Sequence, residues 1–160
     1  MDLSFGVEDP LTDDVRRLLE AHLAFARSVT PPEDVRALDA DALDDPAITV
    51  FGARSDGELV GVGALRQLDP THAEVKAMHT VPSARGRGVG RAMVDHLVAV
   101  AAGRGCDRLS LETGTMAAFA PSRALYRSAG FTPCPPFGEH TAHSGSVCMT
   151  MTIGGDPANG

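Results

Sequence analysis

The sequence predicts an α/β fold in which a central, mostly antiparallel sheet is flanked by helices. Two observations carry that prediction. Three strand-like runs separated by short turns fill Ala47 to Thr80, and the last of them leads into a glycine-rich turn and an apolar helix. Beyond that helix come a strand, a helix and a strand in order. With 160 residues, 43% of them hydrophobic, the chain is long enough for one domain with a core and short for two. The domain is predicted to span 1–153, with a disordered tail over 154–160.

Each element has its own signal. Residues 2–8 alternate weakly and predict a first strand. Asp9-Pro10-Leu11-Thr12-Asp13-Asp14 supplies helix-start chemistry, with acids where the peptide dipoles favour them. Val15, Leu18, Leu19, His22 and Leu23 carry the helical stripe to about Val29. The run Thr30-Pro31-Pro32-Glu33-Asp34 ends that helix and predicts a second, short one through Leu38, then one turn around Asp41 to Leu43. Ala47 to Ala53 is β-branched and reads as a strand, Arg54 to Glu58 as a hairpin turn, and Leu59 to Leu68 as the returning strand. Gly61 and Gly63 within it predict a bulge or a close approach by another backbone. A third strand spans 73–80. Val89, Met93, Leu97 and Val100 share one helical face, widened by Val94 and Val98. Cys106 to Glu112 reads as a strand, Ala117 to Ala129 as a helix stopped by Gly130, and Phe131 to Cys134 and Ser146 to Ile153 as the last strands.

The glycine turn, Val81-Pro82-Ser83-Ala84-Arg85-Gly86-Arg87-Gly88-Val89-Gly90-Arg91, predicts an anion site. Alternate glycines let the backbone approach a ligand. The first turn of a helix has N–H groups without internal partners and a partial positive charge. With Arg85, Arg87 and Arg91 nearby, those groups suit a phosphate or pyrophosphate. The run is not a P-loop, because no Gly-Lys-Ser/Thr ends it. Nor is it the dinucleotide fingerprint, since its third glycine comes one position early. A nucleotide-binding enzyme preferring ATP or a dinucleotide is thereby disfavoured.

A formal net charge of −7 argues against non-specific nucleic-acid binding and makes the basic run at 85–91 stand out. Cys106, Cys134 and Cys148 are odd in number and widely spaced, as expected of reduced thiols rather than a disulfide framework. The sequence shows no signal-peptide pattern and no apolar run of membrane-spanning length, which predicts a cytoplasmic protein.

Arg85-x-x-Gly88-x-Gly90 resembles the pyrophosphate loop of the GNAT superfamily of acyl-CoA-dependent N-acyltransferases. A second signature comes later in the expected order: Leu125-Tyr126-Arg127-Ser128-Ala129-Gly130-Phe131 is similar to the Leu-Tyr-x-x-x-Gly-Phe ending of that core. The resemblance runs from about Leu59 to Ile153. Thr115 to Pro121, Pro135 to Glu139 and Ser146 to Met149 resemble an uncharacterised bacterial branch. One departure stands out: where many members have Asn seven residues before the tyrosine, this chain has Phe119.

The resemblance implies a GNAT-like fold with a splay between the fourth and fifth strands, and acetyl-CoA as acyl donor without a metal. The activity implied is direct transfer of acetyl to a primary amine of a small molecule or peptide. A non-catalytic acyl-CoA-binding regulatory module is the alternative. Nucleic acid and membrane are not implied as partners, and relatives are often homodimers. The implied cofactor contacts are the backbone of Met78, His79 and Thr80, the turn residues Arg85, Gly86, Arg87, Gly88, Val89, Gly90 and Arg91, and Tyr126. Tyr126, the sole tyrosine, is the implied acid for the departing thiolate. For the base, Glu74 ranks first; the alternative is a rim carboxylate that only pairs with Lys76 along the same strand face. His79 titrates near neutral pH but should point away from the face of Met78. Glu112 and Glu139 are weaker candidates. His140-x-x-His143 with Cys148 does not match a zinc spacing; the two histidines read best as ordinary surface residues, with a loop lining the acceptor site as the alternative.

Overall fold

The computed structural model describes residues 1–35, 37–138, 140–142 and 145–154. Helix α1 (Asp13–Val29) buries Val15, Leu18, Leu19, Leu23 and Ala26, with Asp13 and Asp14 in its first turn. It ends where Thr30 turns extended before two prolines. The short helix expected through Leu38 is absent among the described residues. Only a 3-10 turn, Pro32–Asp34, forms there. The reason is local: the Asp39 carboxylate accepts a 2.8 Å hydrogen bond from the Ala42 N–H and starts a new helix, α2 (Ala40–Leu43).

Among the described residues seven strands make one sheet: β1 (Ser4–Glu8), β2 (Ile48–Ser55), β3 (Glu58–Asp69), β4 (His72–Thr80), β5 (Arg108–Gly114), β6 (Thr132–Cys134) and β7 (Ser146–Thr152), in the order β1-β2-β3-β4-β5-β7-β6. Every neighbouring pair is antiparallel except β4–β5, which is parallel. The mostly antiparallel sheet predicted from the sequence is borne out. β5 starts two residues later than expected, because the Cys106 and Asp107 N–H groups bond to the carbonyls of Ala101 and Thr71 instead. A parallel pair needs a long crossover, here α3 (Val89–Gly103). Helix α4 (Ala120–Ala129), preceded by a 3-10 turn at Ala117–Phe119, is closed by Gly130 at φ 110°.

Strand alternation divides the core between the two faces. Phe51, Leu65, Val75, Leu109 and Leu111 face α3 and α4 with Met93, Val94 and Leu97. Val50, Val62 and Ala64 face α1 and α2 with Val15, Leu19 and Leu43. Of the two readings of Gly61 and Gly63 the bulge is present, between Val62 and Ala64; what comes close is not another backbone but the Val89 and Met93 side chains of α3, with which a Cβ would collide. All three cysteines are free, Cys106 and Cys148 buried and Cys134 partly so. Among the described residues no helix is long and apolar enough to cross a membrane. The tail residues 155–160 lie outside the described residues.

Candidate active site

The site begins where the parallel seam gives out. β4 and β5 pair at His72↔Arg108, Ala73↔Leu109 and Glu74↔Ser110, then part. On its other side β4 carries a bulge: the register with β3 jumps between Val62 and Ala64, and Ala77 sits at φ 55°. A left-handed alanine inside a strand is uncommon and re-aims the side chains of the next residues. Met78 therefore turns toward Gly63 and α3, opposite to Glu74 and Lys76. His79 turns toward α1, as expected, its Nδ1 3.3 Å from that of His22 and its ring against Phe25. Burial lowers both histidines, and His22 falls to about 4.

The parted strands enclose a cleft of about 900 Å³, counting its open mouth. Glu74 stands at its root and is 3% exposed, whereas a rim carboxylate would be open to solvent. The expected pairing with Lys76 is present at 3.4 Å. A second partner was not expected: His140, on the loop after β6, places Nε2 2.5 Å from Glu74 Oε2 and Nδ1 3.4 Å from Glu112 Oε2. The reading of His140 as a surface residue is thus corrected, for its side chain is 15% exposed and covered by the Phe137 ring. Glu112 also accepts from the Ser146 hydroxyl at 3.1 Å. Glu139 and His143 lie outside the described residues, and no group of three or more metal-ligating side chains occurs among those described.

Tyr126 lines the same cleft, its ring edge-on to Phe131 at 5.9 Å. Burial pushes its phenol well above the ordinary value, so it stays protonated. Its hydroxyl has no hydrogen-bond partner among the described residues. Phe119 meets Phe25 of α1 edge-on at 5.4 Å, so an aromatic contact replaces the polar group expected at that position.

Beyond the end of β4, the glycine turn positions the amide-rich end of α3. Gly86 and Gly88 take φ of 76° and 84°, and no side chain caps the helix behind Gly88. Gly90 serves another purpose, since its bare Cα lets Leu125 of α4 come close. Val89 is buried, so only its backbone faces the turn. The three arginines are not equivalent. Arg85 donates to the Thr80 carbonyl at 3.2 Å, and Arg91 is held by Asp95 at 3.1 Å and the Ser128 carbonyl at 3.2 Å. Arg87 is exposed and has no partner among the described residues.

Residues 15–131 match the model of the acetyltransferase (GNAT) family. The uncharacterised N-acetyltransferase YsnE of Bacillus subtilis is 41% identical over 92% of this chain and 97% of its own length. YedL of Escherichia coli, also an uncharacterised N-acetyltransferase, is 37% identical over 89% and 92%. Among solved structures, a Klebsiella pneumoniae protein assigned to the acyl-CoA N-acyltransferases superposes with a TM-score of 0.78 at 25% identity, covering 94% of this chain and 97% of its own.

Proposed function

The chain belongs to the GNAT acetyltransferase family, and we propose that it uses acetyl-CoA to acetylate a primary amine of a small molecule or peptide. The observation that carries the proposal is the parting of β4 and β5, with a buried carboxylate at its root and an uncapped helix N-terminus beyond its open end. On this reading the pyrophosphate lies against the N–H groups from Gly86 to Arg91, with Arg87 free to approach it. The pantetheine arm pairs with the β4 backbone past Glu74, as an added strand would. Past the bulge at Ala77 the N–H groups of β4 alternate: that of His79, opposite Val62, points to β3 like that of Val81, which leaves those of Met78 and Thr80 on the cleft edge for the thioester oxygen. A fixed donor at a developing oxyanion contributes about 3–4 kcal/mol in typical sites.

The acceptor approaches from the α1 and α2 side of the cleft, lined there by Ala26, Leu38 and Leu43. An alkylamine with an ordinary pKa of ~10.4 arrives as ammonium and must lose a proton before it attacks. Glu74 takes that proton. As the tetrahedral intermediate collapses, the Tyr126 hydroxyl donates to the departing sulfur, a role suited to a phenol that stays protonated.

Isothermal titration with acetyl-CoA tests the donor site. Micromolar binding by the wild type is expected, together with its loss in Gly88→Glu, which sets a carboxylate where a phosphate should lie. A wild type that does not bind would end the proposal. Thiol release is then measured with 2-phenylethylamine, spermidine, alaninamide and a short alanine-initiated peptide. Tyr126→Phe should retain acetyl-CoA affinity while kcat falls by about tenfold or more. Acetyl-CoA binding with no thiol release from any amine would favour a non-catalytic module instead.

A further inference from the structure

A carboxylate that removes a proton must pass it on before the next turnover, and Glu74, at 3% exposed, has almost no contact with water. Among the described residues two side chains touch its Oε2. Lys76 Nζ, at 3.4 Å, belongs to an ammonium that donates three protons and accepts none. His140 Nε2, at 2.5 Å, belongs to a ring that accepts at one nitrogen and releases at the other. We infer that His140 is the proton outlet of this site, taking from Glu74 the proton lost by the acceptor's ammonium, and that Glu112 holds the ring in position. The inference rests on the acetyltransferase reading.

The surroundings suit the role. Each ring nitrogen faces a carboxylate oxygen, 2.5 Å away at Glu74 and 3.4 Å away at Glu112. The hydrogen bond between Nε2 and Glu74 holds one proton between the two groups, and Nδ1 stands at ion-pair distance from Glu112. Glu112 is fixed in turn by the Ser146 hydroxyl at 3.1 Å. Among the described residues, Lys76 touches Glu74, Cys148 Sγ lies 3.9 Å from Glu112 Oε2, and Asp34 lines the same cleft. Burial, then Glu112 and Cys134, pushes the Cys148 thiol up to about 11, so it adds no charge near neutrality. Phe137 covers one ring face, and the ring is 15% exposed, enough to reach water at the mouth.

The balance closes. The ammonium gives one proton to Glu74, Glu74 gives it to Nε2, and the ring releases one to water. The amine's second proton leaves as the C–N bond forms and accounts for the thiol. One proton reaches solvent per acetyl transferred, and no electrons change hands.

His140 acts through Glu74 and is a positioning residue, so its test needs a readout that a loop clamp would not move. With the fastest of the four amines, His140→Gln keeps a donor toward Glu74 but cannot relay. Its kcat should fall about tenfold to a hundredfold, with acetyl-CoA affinity and melting temperature unchanged. Free imidazole should restore His140→Ala severalfold, and His140→Gln should add nothing to the loss already caused by Glu74→Gln. Wild-type turnover with an unimpaired His140→Gln overturns the inference alone. So does a loss that adds to that of Glu74→Gln and ignores imidazole. Wild-type protein that releases no thiol with any amine overturns the acetyltransferase reading and the relay together.

Discussion

His22 and His79 meet Nδ1 to Nδ1 at 3.3 Å, a contact that allows one shared N–H and no more. Burial, and then the charge of His79, lowers His22 from 6.5 to about 4, so the folded chain holds it neutral where the unfolded chain takes up a proton. The unfolded state binds more protons between those values, and stability falls as pH drops from 6.5 toward about 4. Discounted for partial exposure, the effect is about 2 kcal/mol. Urea unfolding at several pH values checks it: His22→Leu should lose less stability over that window than the wild type, and an unchanged slope would refute the assignment.

At the scale of elements, the bulge in β4 is the feature on which the site depends. A β-branched residue at a φ of 55° is strained, so Ala77→Val should cost about 1–3 kcal/mol in thermal unfolding. It should also weaken acetyl-CoA binding, whereas strain without a change in affinity would separate the bulge from the site. The sequence announced most of the elements around it, because glycines, prolines and apolar periods are local signals. The turn at Gly86 and Gly88, the stop at Gly130 and the face shared by Val89, Met93 and Leu97 are all read within a few residues. Gly61 and Gly63 told of a bulge or a close approach without locating the kink at Ala77, which lies on the opposite strand. The least legible part was His140. Its partner Glu74 is 66 positions away, and nothing in a proline-rich loop says where it folds back. Arg91 shows both sides of this, since its pairing with Asp95 four residues on is a local signal and its bond to the Ser128 carbonyl is not.

Across the whole molecule, the sheet consists of two antiparallel groups, β1 to β4 and β5 with β7 and β6, joined by three residue pairs. A ligand bridging the open part of that seam favours the folded state. At about a hundredfold excess over Kd, acetyl-CoA should stabilise the protein by ~2.7 kcal/mol and raise Tm by about 5–10 °C. Hydrogen exchange should slow most along β4 past Glu74 and along β5 past Ser110. Uniform slowing over the whole sheet would show that the ligand binds without bridging the seam.

The parallel pair of β4 and β5 also gives the molecule a compass. Two parallel neighbours cannot be joined by a hairpin, so the chain must cross a face of the sheet on a helix before the second strand begins. That helix starts near the end at which the first strand finishes, and here this is also the end at which the strands separate. The positive pole and the opening are therefore brought together by connectivity, before any particular side chain is chosen. A two-ended guest with an anionic middle and a reactive tip can lie along such a gap in one sense only. Its orientation is written into the order of the strands, and substitutions at the tip's end can alter what is acylated without turning the guest around.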